Sequence, residues 1–165
     1  MINVVLYQPE IPQNTGNIMR TCAGTDTVLH LIKPLGFSLD EKAVKRSGAG
    51  YVDKTKYFVY ESFEDFKNKN KGTYYFLTRY GTKPPTDLTL SNIKENIYLI
   101  FGSESNGIPK EILKEYKESC IRLPMNDKIR ALNLSNCVAI LVYEALRQQD
   151  YQTLLKYDPF KENYL

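Results

Sequence analysis

The stretch "RLPMNDKIRALNLSNCVAILVYEALRQ", Arg122 to Gln148, holds a strand end, a loop and a helix. The strand stops at Leu123, Pro124-Met125 breaks it, and Asn126-Asp127-Lys128 leads through Arg130 to Asn133, Ser135 and Asn136 at a helix start. Apolar residues at 134, 137, 138, 141, 142 and 145 then form one helical stripe. Ala139, Ile140 and Leu146 lie off it, so the helix is apolar around most of its circumference. That pattern predicts burial on two sides, against the helix's own sheet and against a second copy of the chain, and hence a homodimer.

Outward from this segment, β-rich runs alternate with helix-like ones. "INVVLY" (2–7), "VLHLIK" (28–33), "KYFVY" (56–60), "TYYFLT" (73–78), "IYLIF" (97–101) and "SCIRL" (119–123) are separated by "TGNIMRTCAGT", "LDEKAVKRSG", "SFEDFKNKN" and "PKEILKEYK". The alternation predicts an α/β fold with a mostly parallel sheet flanked by helices. A length of 165 residues with 42% hydrophobic content suits one domain over 1–165, with its core in about 2–149 and a tail over 150–165. "RYGTKPPTDLTLSN" (79–92) reads as a surface loop in which two prolines and Gly81 forbid regular structure.

Composition excludes several classes. Three scattered cysteines and one histidine make neither a disulfide framework nor a metal site, so no metal is expected. Cys22 and Cys137 read as small hydrophobes, and His30, inside an apolar run, as structural rather than as part of a nucleophilic triad. No leader or membrane span is evident, and a reducing cytoplasm is the expected compartment. A net charge of +3 means that any nucleic-acid site is a local patch, with no DNA contact expected.

In parallel α/β sheets ligands bind beyond the carboxyl ends of the strands, and two further loops stand out there. In "YQPEIPQNTGNIMRT", Asn14 is placed to cap a helix, and Asn17 and Arg20 share a face. A capped helix with a solvated arginine explains the same residues. In "GSESNG" (102–107) glycines permit close backbone approach, while the acid at Glu104 excludes a phosphate loop and suits a neutral or cationic ligand. A plain strand-to-helix turn, with Glu104 favoured by a helix dipole, fits equally.

"PEIPQNTGNIMR", "FGSESNGIP" and "RLPMNDKIRALNLSNCVAILVYEALRQ", in this order, resemble the three motifs of the SPOUT superfamily of RNA 2′-O-ribose methyltransferases. The similarity is greatest to the short kind that modifies the wobble nucleotide of tRNA. The resemblance runs from Ile2 to about Gln149 and implies a C-terminal deep trefoil knot, an exception to the rule against knotted chains. It also implies S-adenosylmethionine as methyl donor, held mainly through backbone by Leu77, Thr78, Gly102, Leu123, Ala131, Leu132 and Asn133. Arg20, Asn14, Glu104 and Asn133 fall on the family's catalytic positions; Ala131 departs from the serine usual there. The implied partner is a tRNA anticodon stem-loop. Arg20, Lys45, Arg46, Lys128 and Arg130, joined by Lys42, Arg79 and Lys83, are candidates for its phosphates, whereas "KNKNKG" (67–72) reads as a solvated surface. A ribosomal-RNA ribose methyltransferase and a non-catalytic RNA-binding or ribosome-assembly protein of the same fold are the alternatives.

Overall fold

The computed structural model describes residues 1–40 and 42–160; the last five residues of the expected tail lie outside the described residues. Among the described residues six strands form a single parallel sheet: β1 (Ile2–Tyr7), β2 (Val28–Ile32), β3 (Tyr57–Tyr60), β4 (Thr73–Leu77), β5 (Ile97–Phe101) and β6 (Cys120–Ile121). Their spatial order is β3-β2-β1-β5-β4-β6, with every pair parallel. The helices are α1 (Pro12–Gly24), α2 (Lys42–Ser47), α3 (Phe63–Lys69), α4 (Lys110–Glu115) and α5 (Leu134–Gln148).

Period-two alternation sorts the strand side chains between two cores. Val4, Leu6, Leu29, Leu31, Leu99 and Phe101 pack on one face with Ile18, Met19 and Cys22 of α1 and with Val138, Leu141 and Val142 of α5. Val5, Ile32, Phe76 and Ile100 pack on the other with Phe63 and Phe66 of α3 and Leu113 of α4. The chain therefore leaves β1 towards one layer and leaves the neighbouring β5 towards the opposite layer. Between these two carboxyl ends opens the crevice in which α/β proteins seat ligands.

The structure revises three local expectations. First, α1 begins at Pro12 with Ile11 at the N-cap and no side-chain cap bond, so Asn14 lies inside the first turn instead of capping it. Pro12 sets the start because proline suits the first helical position. Second, 79–92 is only partly a surface loop. Pro85–Asp87 forms a 3-10 turn and Leu90 is fully buried, because Gln148 Oε1 accepts from Leu90 N and Gln149 Nε2 donates to Leu90 O. Third, α5 buries Leu146 along with most of the predicted stripe, while Ile140 and Tyr143 stay exposed. Strands β2, β3, β4 and β6 are also shorter than read.

His30 is structural, as expected. It is buried between Tyr60 and Asn3, with Nδ1 2.8 Å from Tyr60 Oη and Nε2 3.1 Å from Asn3 Oδ1. Asn3 Nδ2 donates to Met1 O and Ile97 O, which turns Oδ1 towards the imidazole; Nε2 therefore carries the proton and Tyr60 Oη donates to Nδ1. Burial, and then the charge of Lys56, push the imidazole down to about 4 from 6.5. The unfolded chain thus binds the extra proton first, and stability is lost as pH falls from about 6.5 towards 4. The loss expected from this group is about 3 kcal/mol. Urea denaturation across that window should show it, and His30→Gln should remove that part of the slope.

Candidate active site

The three loops singled out in the sequence meet at the crevice between β1 and β5. The loop after β5 closes on itself: Gly107 N donates to Ser103 O at 2.9 Å and Ser103 N to Gly107 O at 3.3 Å. A Cβ on Gly102 would lie 2.2 Å from the Gly107 carbonyl carbon, and Gly107 itself has φ +70°, so both glycines are needed for this closure. The closed loop presents Glu104 to the start of α1. Glu104 Oε2 accepts from Glu10 N at 2.9 Å, and Oε1 accepts from Ile11 N at 3.3 Å and from Asn14 Nδ2 at 2.8 Å. α1 has no acid in its own first turn and no side-chain cap; a carboxylate 90 residues further on does both jobs.

Glu10 returns the contact, its carboxylate accepting from Ser105 N at 3.0 Å and Ser105 Oγ at 2.5 Å. The third loop joins through Asn133, whose Nδ2 donates to Asn14 Oδ1 at 3.0 Å. Asn133 also caps α5, its Oδ1 accepting from Ser135 N at 2.9 Å and Ser135 Oγ at 2.6 Å. Glu104, Asn14 and Asn133, three of the four residues expected to be catalytic, are thus one hydrogen-bonded chain.

Arg20 stands apart from it. It is exposed on α1, its guanidinium carbon 5.7 Å from the centroid of the Tyr51 ring, and with Asn17, Ser135, Asn136 and Tyr143 it lines an open cleft between α1 and α5. The expected shared face of Asn17 and Arg20 is present. Ser135 links this cleft to the polar chain.

Strand order also brings together part of the expected cofactor shell. Leu77 is in register with both Phe101 and Ile121, so Thr78, Gly102 and the segment leading to Leu123 leave the sheet side by side. Thr78 N donates to Ile121 O, and Arg122 N to Lys83 O, both at 3.0 Å. From Leu123 to Leu132 the backbone forms no regular helix or strand, leaving most of its amides and carbonyls outside any ladder. Leu132 packs on the core and Ala131 is exposed.

The expected basic patch is divided. Lys128 and Arg130 are exposed on the irregular segment, and Lys45 and Arg46 are exposed on α2. Lys83 is spent on Glu118, with Nζ 3.2 Å from Oε2. Lys67 and Lys69 pair with Glu64 and Asp65, as suits a solvated surface. Two contributors had no local signal. Glu10 is defined by a partner 95 residues away, and Tyr51 reaches Arg20 only through the fold.

A parallel α/β sheet whose crevice is edged by backbone-rich loops is the arrangement of a small-molecule-binding enzyme. Residues 1–143 match the SpoU rRNA Methylase family, and the chain belongs to it. It is 52% identical over 155 residues to a Listeria innocua protein that carries the name tRNA (cytidine(34)-2′-O)-methyltransferase, covering 93% of this chain and 92% of that one. A solved structure from Bacillus anthracis, described as an RNA methyltransferase, matches with TM-score 0.90 and 52% identity over 95% of this chain and 100% of that one. A second, described as giving insights into the 2-OH methylation of C/U34 on tRNA, matches with TM-score 0.85 and 37% identity over 92% and 97%.

The Glu104 contacts set a test. Glu104→Gln replaces one acceptor oxygen with a donor facing the Glu10 and Ile11 amides at the mouth of α1 or the Asn14 amide, so a stability loss of about 1–3 kcal/mol is expected by urea denaturation. A loss below 0.5 kcal/mol, on the order of a surface substitution, would contradict the capping role.

Proposed function

We propose that this chain is an S-adenosylmethionine-dependent tRNA 2′-O-methyltransferase that methylates the ribose of nucleotide 34, cytidine or a modified uridine, in the anticodon stem-loop. The observation that carries this reading is the Glu104–Asn14–Asn133 chain joining all three loops at the crevice. The likeness to a relative named for cytidine 34 and to a structure described for C/U34 supports the choice of nucleotide. A homodimer, one domain over 1–165 with a trefoil knot in its C-terminal part, and action in the cytoplasm belong to the same reading. The exposed Ile140 and Tyr143 of α5 support the dimer.

The residues fit the cofactor. A donor set of Leu77, Thr78, Gly102, Leu123, Ala131, Leu132 and Asn133 is backbone chemistry, suited to the hydrogen-bonding edge of an adenine, and none of the seven side chains is cationic. Ala131 supplies no hydroxyl, and the nearby Ser135 hydroxyl is already given to Asn133, so the backbone carries that contact. When bound, S-adenosylmethionine supplies an electrophilic methyl group on a sulfonium. That methyl carbon would pass to the ribose 2′-oxygen, the oxygen–carbon bond forming as the sulfur–methyl bond broke and the hydroxyl proton left. Glu104 acts as a positioning residue: its carboxylate orders α1 and, through Asn14, the Asn133 loop. Arg20, free of any ion pair among the described residues, offers a planar set of donors to a ribose-phosphate and to a developing alkoxide. A guanidinium is a donor and not a proton acceptor, so the proton goes to phosphate or water. Holding the two partners in line supplies much of the rate.

Mapping 2′-O-methyl nucleotides in total RNA from a strain lacking the protein tests the reading: the modification at position 34 disappears. Loss at a ribosomal position with position 34 unchanged would instead identify a ribosomal-RNA ribose methyltransferase. With purified protein, Arg20→Lys is expected to lower kcat at least about tenfold with unchanged S-adenosylmethionine affinity by calorimetry. Near-full activity in that variant would remove the planar, bidentate role.

A further inference from the structure

A second groove, of about 430 Å³, lies past the carboxyl end of β4 and beside the start of β6, between the loop 80–83 and α4. Its floor is apolar, formed in part by the buried side chains of Leu113 and Cys120. Its wall is cationic: Lys110 and Lys114, one turn apart on α4, and Lys117 in the 3-10 turn that follows all line it. The three form no ion pair among the described residues. Glu118 is the one acid in the lining, and Lys83 already neutralises it. Glu115 points elsewhere, pairing with Lys67. At the lip stands Tyr80, 54% exposed, with the Arg79 guanidinium carbon 5.1 Å and Lys110 Nζ 5.8 Å from its ring centroid.

An exposed aromatic ring beside unneutralised cations over an apolar floor matches single-stranded nucleic acid, whose bases stack and whose phosphates need positive partners. An acidic peptide would use the lysines and leave the ring idle. The groove is also continuous with the expected cofactor shell, since Lys83 bridges to Ile121 and Thr78 N donates to Ile121 O.

We propose that this groove binds an unpaired nucleotide segment of the RNA substrate away from the methylated ribose, a base stacking on Tyr80 and phosphates resting on Lys110, Lys114 and Lys117. The assignment rests on the reading of RNA as substrate but not on the choice of nucleotide 34. It adds four residues absent from the basic patch expected from sequence, and it replaces Lys83, whose charge is spent.

Binding of fluorescent hexauridylate to the full-length protein tests it. Tyr80→Ala is expected to weaken binding at least about fivefold, with Tyr80→Phe close to wild type. Combined Lys110→Gln, Lys114→Gln and Lys117→Gln should weaken binding and reduce the slope of log affinity against log salt by about 2. S-adenosylmethionine affinity, measured by calorimetry, should stay unchanged in every variant, which shows that they fold. Binding within twofold of wild type in both Tyr80→Ala and the triple variant, with an unaltered slope, would overturn the assignment. So would undetectable binding by wild type, or hexaglutamate binding as tightly as hexauridylate and indifferent to Tyr80→Ala. Wild-type methylation of tRNA at position 34 is measured in parallel. Groove-dependent binding without that methylation removes the wobble assignment and upholds the groove, whereas methylation with groove-independent binding does the reverse.

Discussion

The site depends on one carboxylate reaching across the sheet to a helix that cannot cap itself. Pro12 starts α1 early, Ile11 offers no side-chain oxygen, and the first turn contains no acid. Its positive end, and the Glu10 and Ile11 amides that lead into it, are met by Glu104 from the loop after β5. That loop holds its shape because Gly102 and Gly107 let it fold back on itself. Remove either condition, and Asn14 loses the partner that fixes its orientation towards Asn133.

Much of this is legible in the amino-acid sequence. All six strands lie in runs that alternate with helical patterns, because parallel strands buried on both faces must read as short apolar blocks. Asn14, Glu104 and Asn133 stand out in the sequence as polar residues in the loops at strand ends, although a capped helix accounts for Asn14 and a plain turn for Glu104 equally well. Their joining does not, since residues 90 and 119 positions apart leave no trace in local spacing. The same gap explains the misplaced cap at Asn14: local propensity for asparagine at an N-cap is real, but proline two residues earlier and a distant acid together outweigh it. Leu90 was lost in a proline-rich stretch for a similar reason. Its burial is imposed by the glutamines at the end of α5.

Charge is distributed with the same economy. A chain with net charge +3 cannot coat itself for RNA, and its cations are largely sorted by neighbours. Those next to acids, such as Lys67, Lys69 and Lys83, are neutralised in place. Those on α2, on the irregular segment before α5 and along α4 are left to face solvent. Low overall charge with local concentrations of it permits recognition of a particular polyanion without indiscriminate adhesion to every one.

The polar chain at the crevice also has a direction. Ser135 donates to Asn133, Asn133 to Asn14, and Asn14 to Glu104, so every dipole points at the one negative charge. Such alignment lets each bond polarise the next. It also makes the arrangement indivisible: turning over either amide would place donor against donor on one side and acceptor against acceptor on the other, breaking two bonds at once. The three loops consequently share one bonded arrangement, and displacing the Asn133 loop would take from Asn14, in the first turn of α1, the donor that holds its carbonyl oxygen.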